Sequence, residues 1–334
     1  MAGNVLVTGA AGFIGCHVAR ELLSMGFNVV ALDDLSGGFV ENVPQDCTFV
    51  QGSILDCALI EKLFKEHLFQ HVFHLAAYAA EGLSHFIKRF NYTNNLIGSA
   101  NLINSSVNYD VKCFVFTSSI AVYGATQVPM VEDTTPLPED PYGIAKYAVE
   151  LDLKESHEIF GLDYVIFRPH NVYGECQNIG DTYRNVVGIF MNQIMQGKPM
   201  TIFGDGEQTR AFSYIGDVAP IIARSVETKE ACNQVFNVGA DQPCTVNRLS
   251  AIVARAMGVE PQVVHLPARN EVAHAYASHD KVRSVFGQRQ CRPLEDGVAR
   301  MAKWAKRVGA RKATLVKDVE VRKNLPPSWA DLYG

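Results

Sequence analysis

Residues Val5 to Gly15 read V-L-V-T-G-A-A-G-F-I-G, and this stretch decides the architecture. Val5 to Val7 form a short apolar β run. Gly9 and Gly12 fall in the turn after it, and Gly15 falls just inside the helix that follows. Strand, glycine turn and helix N-terminus together make a cradle for the phosphates of a dinucleotide. Gly9 permits the turn, because a residue without a Cβ takes positive φ at little steric cost. Gly12 leaves the backbone open to a diphosphate, and Gly15 lets the helix lie close on the sheet. The first N–H groups of the helix and its positive dipole end then face the phosphates. A glycine triplet alone also fits a plain strand-to-helix turn. Here an acid stands in register. The second strand, Phe27 to Leu32, runs into Asp33-Asp34, about 20 residues past the glycines, where a carboxylate accepts both ribose hydroxyls of an adenosine. Asp33 is the better placed of the two. A carboxylate there repels a 2′-phosphate, so NAD is favoured over NADP.

The 334 residues suffice for one large or two intimate domains with a substantial core. A net charge of −5 gives no electrostatic case for nucleic acid or an anionic membrane as partner. With the first strand starting at about residue 4, no secretory signal is expected. The uncharged run Cys113 to Val131 carries Thr, Ser, Gly, Gln and Pro, and reads as a strand plus loop rather than a membrane span. Eight cysteines without a C-x-x-C pattern fit reduced thiols in a cytoplasmic protein. No metal site is expected. Of His67, His71 and His74, the first ends a helix, and the other two, three apart on a strand, point to opposite faces.

Further along, strand Thr48 to Gln51 leads to Gly52-Ser53-Ile54, and helix Cys57 to His67 leads to strand His71 to Leu75. Ala76 and Ala77 follow, small enough for the nicotinamide half of a cofactor to lie against the backbone. Strand Lys112 to Phe116 ends in Thr117-Ser118-Ser119-Ile120-Ala121. After a Pro-rich loop, Tyr142-Gly-Ile-Ala-Lys146 opens a helix running to about Phe160. Tyr142 and Lys146, at i and i+4, share one helix face. A phenol must fall from near 10 to near 7, about 4 kcal/mol, to serve as a base at neutral pH. Lys146, a positive nicotinamide ring and Ser119 are expected to supply this together. The bland alternative is an ordinary amphipathic helix. Ser119 at the preceding strand end and the glycine turn in register favour a catalytic set of Ser119, Tyr142 and Lys146.

The T-G-x-x-G-x-x-G turn, the Tyr142-x-x-x-Lys146 pair and Arg168-Pro-His-Asn-Val-Tyr-Gly174 together resemble the sugar-nucleotide epimerase/dehydratase group of the extended short-chain dehydrogenases/reductases. Within it the chain is most like UDP-glucose and UDP-glucuronate 4-epimerases, over residues 4 to about 290. The resemblance implies an α/β fold: a Rossmann-type, doubly wound parallel sheet with a smaller C-terminal α/β substrate domain. It divides the chain at 1–174 and 175–334, with a strand near 235–239 rejoining the first sheet. For the cofactor it implies Gly9, Gly12, Phe13, Ile14 and Asp33 on the dinucleotide. Ser53 and Ile54 lie near the adenine, where the family usually has Asp in place of Ser53. Leu75, Ala76, Ala77, Thr117, Tyr142 and Lys146 belong to the nicotinamide end, and Asn95 braces the active-site strand. For the sugar nucleotide it implies Ser119, Asn171, Arg210, Arg269 and Tyr276. Glu81 and Ser84 either touch sugar hydroxyls or lie in a solvated loop. Arg184 and His170 are candidates to meet a sugar carboxylate.

Subclass follows from what stands beside Ser119. Dehydratases of the group carry an acid pair there, decarboxylases a Glu and 3,5-epimerases a Cys, whereas this chain has Ile120 and Ala121. The expected activity is therefore NAD-dependent 4-epimerisation of a UDP-hexose through a transient 4-keto sugar, with NAD tightly bound and Tyr142 as base. Another nucleotide-sugar epimerase or reductase, a lyase, or a non-catalytic NAD-binding protein are the alternatives. The resemblance also implies a homodimer in which helices 93–108 and 142–160 form a four-helix bundle.

Overall fold

The computed structural model describes residues 3–126, 128–268, 274–287, 291–312 and 319–326. Seven strands form one sheet: β1 (Asn4–Thr8), β2 (Asn28–Asp33), β3 (Thr48–Gln51), β4 (His71–His74), β5 (Cys113–Thr117), β6 (Tyr164–Pro169) and β7 (Gln234–Val238). Their order is β7-β6-β5-β4-β1-β2-β3, and every neighbouring pair is parallel. The order reverses direction at β1, where α/β sheets open a crevice beyond the strand ends.

The strands β1, β2, β5 and β6 are largely apolar because both faces of the sheet are covered. Val5, Val7, Ala31, Phe73, Val115, Phe167 and Phe236 lie in one core, with Val18, Ala19 and Leu22 of helix α1 (Phe13–Ser24). Leu6, Val30, Leu32, Val72, Phe114, Phe116 and Ile166 lie in the other. They pack there with residues of α2 (Cys57–His67), α3 (Gly98–Asn108) and α4 (Pro141–Phe160). The alternation has the period of two that a pleated strand imposes. Helix α3 is entered through a π turn, Thr93–Ile97, so the single helix expected from residue 93 begins irregularly.

Beyond Gly174, α5 (Val186–Met195), α6 (Ile215–Arg224), α7 (Val246–Met257) and α8 (Leu294–Val308) assemble with three small sheets. Helix α6 packs on α1, and its Ile215, Val218, Ala219 and Ile222 enter the same core as Val5 and Phe167. Strand β7 pairs with β6, Phe236 opposite Phe167. Residues 319–326 return to the segment Phe86–Phe90. The backbone N–H groups of Glu320 and Val321 donate to the Phe86 carbonyl, and the Glu320 carboxylate accepts the Arg89 and Phe90 amides at 2.7 and 2.9 Å. Leu325 joins Tyr78, Ala80, Leu83, Phe86 and Ile87 in a small apolar cluster.

Candidate active site

Helix α1 starts at Phe13 with Gly12 as its N-cap and no side chain capping it, so its first turn offers bare N–H groups. Gly9 has φ +71°, and a Cβ there would sit 2.7 Å from the Ala76 amide nitrogen. A Cβ on Gly15 would lie 2.0 Å from the Gly9 carbonyl oxygen, so Gly15 makes room for the turn itself. Asp33 is buried at the end of β2. Its Oδ2 accepts the Ala11 amide at 3.0 Å and its Oδ1 the Leu35 amide at 2.8 Å. Burial raises its carboxyl above the usual range, opposed by those amides. Each oxygen keeps a second lone pair for a ligand hydroxyl.

One cavity runs from this cradle to the end of β5. Gly9, Gly12, Phe13, Ile14, Asp33 and Ile54 wall its first half, and Leu75, Ala76, Ala77, Thr117, Tyr142 and Lys146 its second. A cradle of glycines under a bare helix start, an acid beside it and small residues at the far end fit a nicotinamide dinucleotide. Ser53 does not join the walls; its hydroxyl accepts the Leu55 amide at 3.2 Å, and Gly52 and Ile54 line the cavity on either side of it. Asn95 is buried behind the wall and braces Tyr78 from both sides, accepting its N–H at 2.8 Å and donating to its carbonyl at 3.0 Å.

Tyr142 sits in the first turn of α4, which Asp140 caps by accepting the Gly143 amide at 2.9 Å. Ser119 hydrogen-bonds the phenol, and its Oγ accepts the Ala121 amide at 3.1 Å. Lys146 Nζ donates to the Thr117 carbonyl at 2.8 Å and lies 5.9 Å from the centre of the Tyr142 ring. The three residues thus meet where β5 ends. The expected depression of the phenol is not produced by these groups alone. Burial drives the phenol up, against the Ser119 hydrogen bond, and the charges of Asp140 and Glu81 push the same way as burial. Burial also brings the Lys146 ammonium down to about 7, with Glu150 opposing it. Two buried groups each favour their neutral form.

Ser84 does not meet a sugar. It is buried behind Tyr142, donating to the Glu81 carbonyl at 2.6 Å and accepting the Tyr142 amide at 3.2 Å, so it fixes the start of α4. Glu81, exposed at the head of the short helix Glu81–Ser84, stays near enough to raise the phenol. His170 is also corrected: it is buried, with Nδ1 on the Ala211 carbonyl and Nε2 3.0 Å from His279 Nε2, and neither nitrogen is left for a carboxylate. Arg184 does wall the cavity, held by Asp181 at 2.5 Å and lying over the Tyr78 ring. Asn171 takes a left-handed φ of +40°, its carbonyl accepting the Ser213 amide. Arg210 lies on the strand Thr209–Ala211, with Nη1 donating to the Thr209 carbonyl at 2.9 Å. Tyr276 pairs through its carbonyl with the Met130 amide. Arg269 lies outside the described residues.

Glu150 and Arg168 escaped the sequence reading. Glu150 follows Tyr142 and Lys146 on the same face of α4, another four residues on, which was the available signal. Its carboxylate accepts Arg168 Nε at 2.9 Å, Arg168 Nη2 at 2.5 Å and the Ser118 hydroxyl at 2.5 Å. Both residues are buried, at 0% and 2% exposure. Arg168 also stacks on the Tyr123 ring, 4.7 Å away. A second omission is Asn42, whose Nδ2 donates to the carbonyls of Ala11 and Cys176 and so ties the phosphate turn to the segment after Gly174.

Known proteins share this arrangement. Residues 5–239 match the model of the NAD dependent epimerase/dehydratase family. A putative UDP-glucose 4-epimerase of Methanocaldococcus jannaschii is 34% identical over 307 residues, which span 90% of this chain and 98% of that protein. The solved structure of a UDP-glucose 4-epimerase from Thermotoga maritima, with UDP-glucose, superposes with a TM-score of 0.87 at 35% identity, covering 91% of this chain and 99% of that one. A UDP-N-acetylglucosamine 4-epimerase from Methanobrevibacter ruminantium, in complex with UDP-N-acetylmuramic acid, gives 0.85 at 33% identity, covering 91% and 98%. With the glycine turn, Asp33 and the Ser119–Tyr142–Lys146 set on one cavity, these similarities place the chain in the NAD dependent epimerase/dehydratase family.

Proposed function

We propose that this protein interconverts the C4 epimers of a UDP-hexose, with Tyr142 taking and returning the proton of the C4 hydroxyl. The observation that carries this reading is the meeting of Ser119, Tyr142 and Lys146 at the far end of the cofactor cavity, where Ile120 and Ala121 add no second acid or base. The chemistry left to such a site is removal of a proton from oxygen and its return. NAD, held by the glycine turn, Asp33 and the walls formed by Leu75, Ala76, Ala77, Thr117 and Lys146, would supply the hydride acceptor in its oxidised form and the hydride donor in its reduced form. Ser119 accepts the Ala121 amide and keeps its own hydroxyl proton for the phenol or the sugar oxygen. Lys146 spends one of three donors on Thr117 and keeps two for the cofactor side. Glu150 beneath it opposes the discharge of Lys146 by burial. Asn171, Arg210, Arg269 and Tyr276 are assigned to the nucleotide and sugar, and 1–174 and 175–334 to the cofactor and substrate halves.

Purified protein is incubated with UDP-glucose, UDP-galactose, UDP-glucuronate and UDP-N-acetylglucosamine in turn, without added cofactor. An isomer of unchanged mass from one of them supports the proposal and names the sugar. Loss of water or carbon dioxide transfers the protein to the lyases of the family. Among the described residues no helix is long and apolar enough to cross a membrane. The eight cysteines are free thiols, which supports a cytoplasmic setting. A homodimer is assigned to the outer faces of the π turn and α4, where Ile97, Ile144 and Leu151 are 53%, 42% and 46% exposed. A Leu151→Glu variant is expected to halve the mass measured by light scattering; an unchanged mass refutes this interface.

A further inference from the structure

Behind the phosphate turn, α1 and the segment after Gly174 bring two thiols together. The Sγ atoms of Cys16 and Cys176 and a ring nitrogen of His17 lie within 4.8 Å of one another. Arg20, one turn further along α1, aims Nη1 at both sulfurs, 3.6 Å from Cys16 and 3.7 Å from Cys176, and Nη2 at Cys176 at 3.7 Å. The guanidinium is held there by the Asn42 carbonyl at 2.9 Å, and His17 by the Glu175 carbonyl at 2.9 Å.

The two sulfurs are not equivalent. Cys16 is fully buried, and its thiol donates to the Phe13 carbonyl at 3.2 Å. Cys176 is part-exposed, on the wall between the cofactor cavity and a second hollow lined by Arg20, Glu175, Trp304 and Arg307. Its φ of +68° lies in the left-handed region that a residue with a Cβ seldom adopts, so the surrounding structure holds it in place. Two Arg20 nitrogens point at Cys176 and one at Cys16, while the Cys16 thiol donates to a carbonyl, so the geometry favours the thiolate on Cys176. The hydrogen bond between the sulfurs raises Cys16 and lowers Cys176, and His17 and Arg20 lower Cys176 further. Two cysteines and a histidine also resemble a soft-metal donor set. Arg20 decides against that, since a fixed cation beside both sulfurs repels a metal ion and favours a thiolate.

We propose that Cys176 and Cys16 form a reversible dithiol–disulfide site, with Cys176 as the peroxide-facing thiolate and Cys16 as the buried resolving thiol. The Cys176 thiolate attacks one oxygen of hydrogen peroxide. The O–O bond breaks, hydroxide leaves and takes up a proton as water, and Cys176 becomes a sulfenic acid. Cys16 then gives up its proton and attacks the Cys176 sulfur. The S–O bond breaks, the S–S bond forms and a second water leaves. The two thiols together lose two electrons and two protons, and one peroxide becomes two waters. A dithiol reductant reverses the change by exchange at the S–S bond. Asn42 ties the Cys176 carbonyl to that of Ala11, so the bond forms on the frame of the phosphate turn.

The test uses the full chain, reduced, desalted and treated with a small molar excess of hydrogen peroxide. Free thiols are alkylated, and the digest is analysed without reduction. The thiol count in denaturant is expected to fall by two from eight, with the Cys16 and Cys176 peptides recovered as one linked species that dithiothreitol releases. In Cys16→Ser no linked peptide forms, and dimedone traps Cys176 as the sulfenic acid. The proposal is overturned if all eight thiols survive or if the linkage joins other cysteines. It is also overturned if Cys176 oxidises in the native chain while Cys16 stays alkylatable, or if the protein retains an equivalent of zinc that protects both thiols.

Discussion

Replacing Glu150 with Gln separates what the buried ion pair does from what its shape does. The side chain keeps its length and one acceptor oxygen but loses its charge, and Arg168, 2% exposed, keeps a positive charge with its counter-ion removed. Breaking a buried pair from one side costs about 3–5 kcal/mol, because the remaining charge stays desolvated. Gln still accepts one of the three hydrogen bonds now made by Ser118 and Arg168, which sets the expectation near the lower end, about 3 kcal/mol. Urea unfolding followed by tryptophan fluorescence measures it as a lower midpoint at unchanged slope. The double variant Glu150→Leu with Arg168→Met removes both charges and is expected to recover more than half of the loss, since an apolar pair of similar volume carries no desolvation penalty. A second readout ties the pair to the site. Glu150 is the group that opposes the burial-driven fall of Lys146 to about 7. Without it Lys146 falls further, and the neutral limb of the kcat profile moves to lower pH. A loss below about 1 kcal/mol, or an unmoved pH profile, would refute the reasoning.

Tyr142→Phe is expected to lower kcat by about 10²- to 10⁴-fold while NAD stays with the protein through gel filtration, read from its absorbance. Asp33→Asn removes the charge facing the ribose; NAD retention should fall while NADP retention rises, and equal loss of both would contradict the role given to Asp33. His74 is buried between the Thr8 and Ser99 hydroxyls, at 2.7 and 2.8 Å, and burial lowers it to about 3. Its folded value lies below the unfolded one, so below pH 6.5 the unfolded chain binds the extra proton and stability is lost as pH falls toward 3. The loss from this group at pH 5 is about 2 kcal/mol, and His74→Gln should flatten the slope of stability against pH between 7 and 5.

Much of the molecule was legible because its signals are local. Runs such as Val5–Val7 and Cys113–Phe116 are apolar throughout since helices cover both faces of the sheet, and Gly9, Asp33, Tyr142 and Lys146 stand at offsets that strand and helix geometry fix. What stayed hidden depends on partners distant in the chain. Its loop-like neighbours in sequence leave Ser84 open between a sugar contact and a solvated loop, while its hydroxyl serves an amide 58 residues on. His170 looked available until His279, 109 residues away, was placed against it. The sequence expects Lys146, a nicotinamide ring and Ser119 together to lower the Tyr142 phenol, but burial, which a sequence does not display, raises the phenol against the Ser119 hydrogen bond and lowers Lys146. Arg168 sat inside a quoted motif without a task because its partner lies on another element.

The return of residues 319–326 to the Phe86–Phe90 lip sets an order of manufacture. Phe90 and Tyr78 wall the cavity, and the carboxylate that fixes the Arg89 amide comes 231 positions later in the chain. At ribosomal speeds of about 5–20 residues per second, that lip waits on the order of ten to fifty seconds for its fastener. The phosphate cradle, complete within the first forty residues, is translated long before the mouth of the site is pinned. The nascent chain therefore acquires the phosphate cradle early and a pinned entrance only when residues 319–326 arrive, so a stalled ribosome leaves the cradle beside an untethered lip.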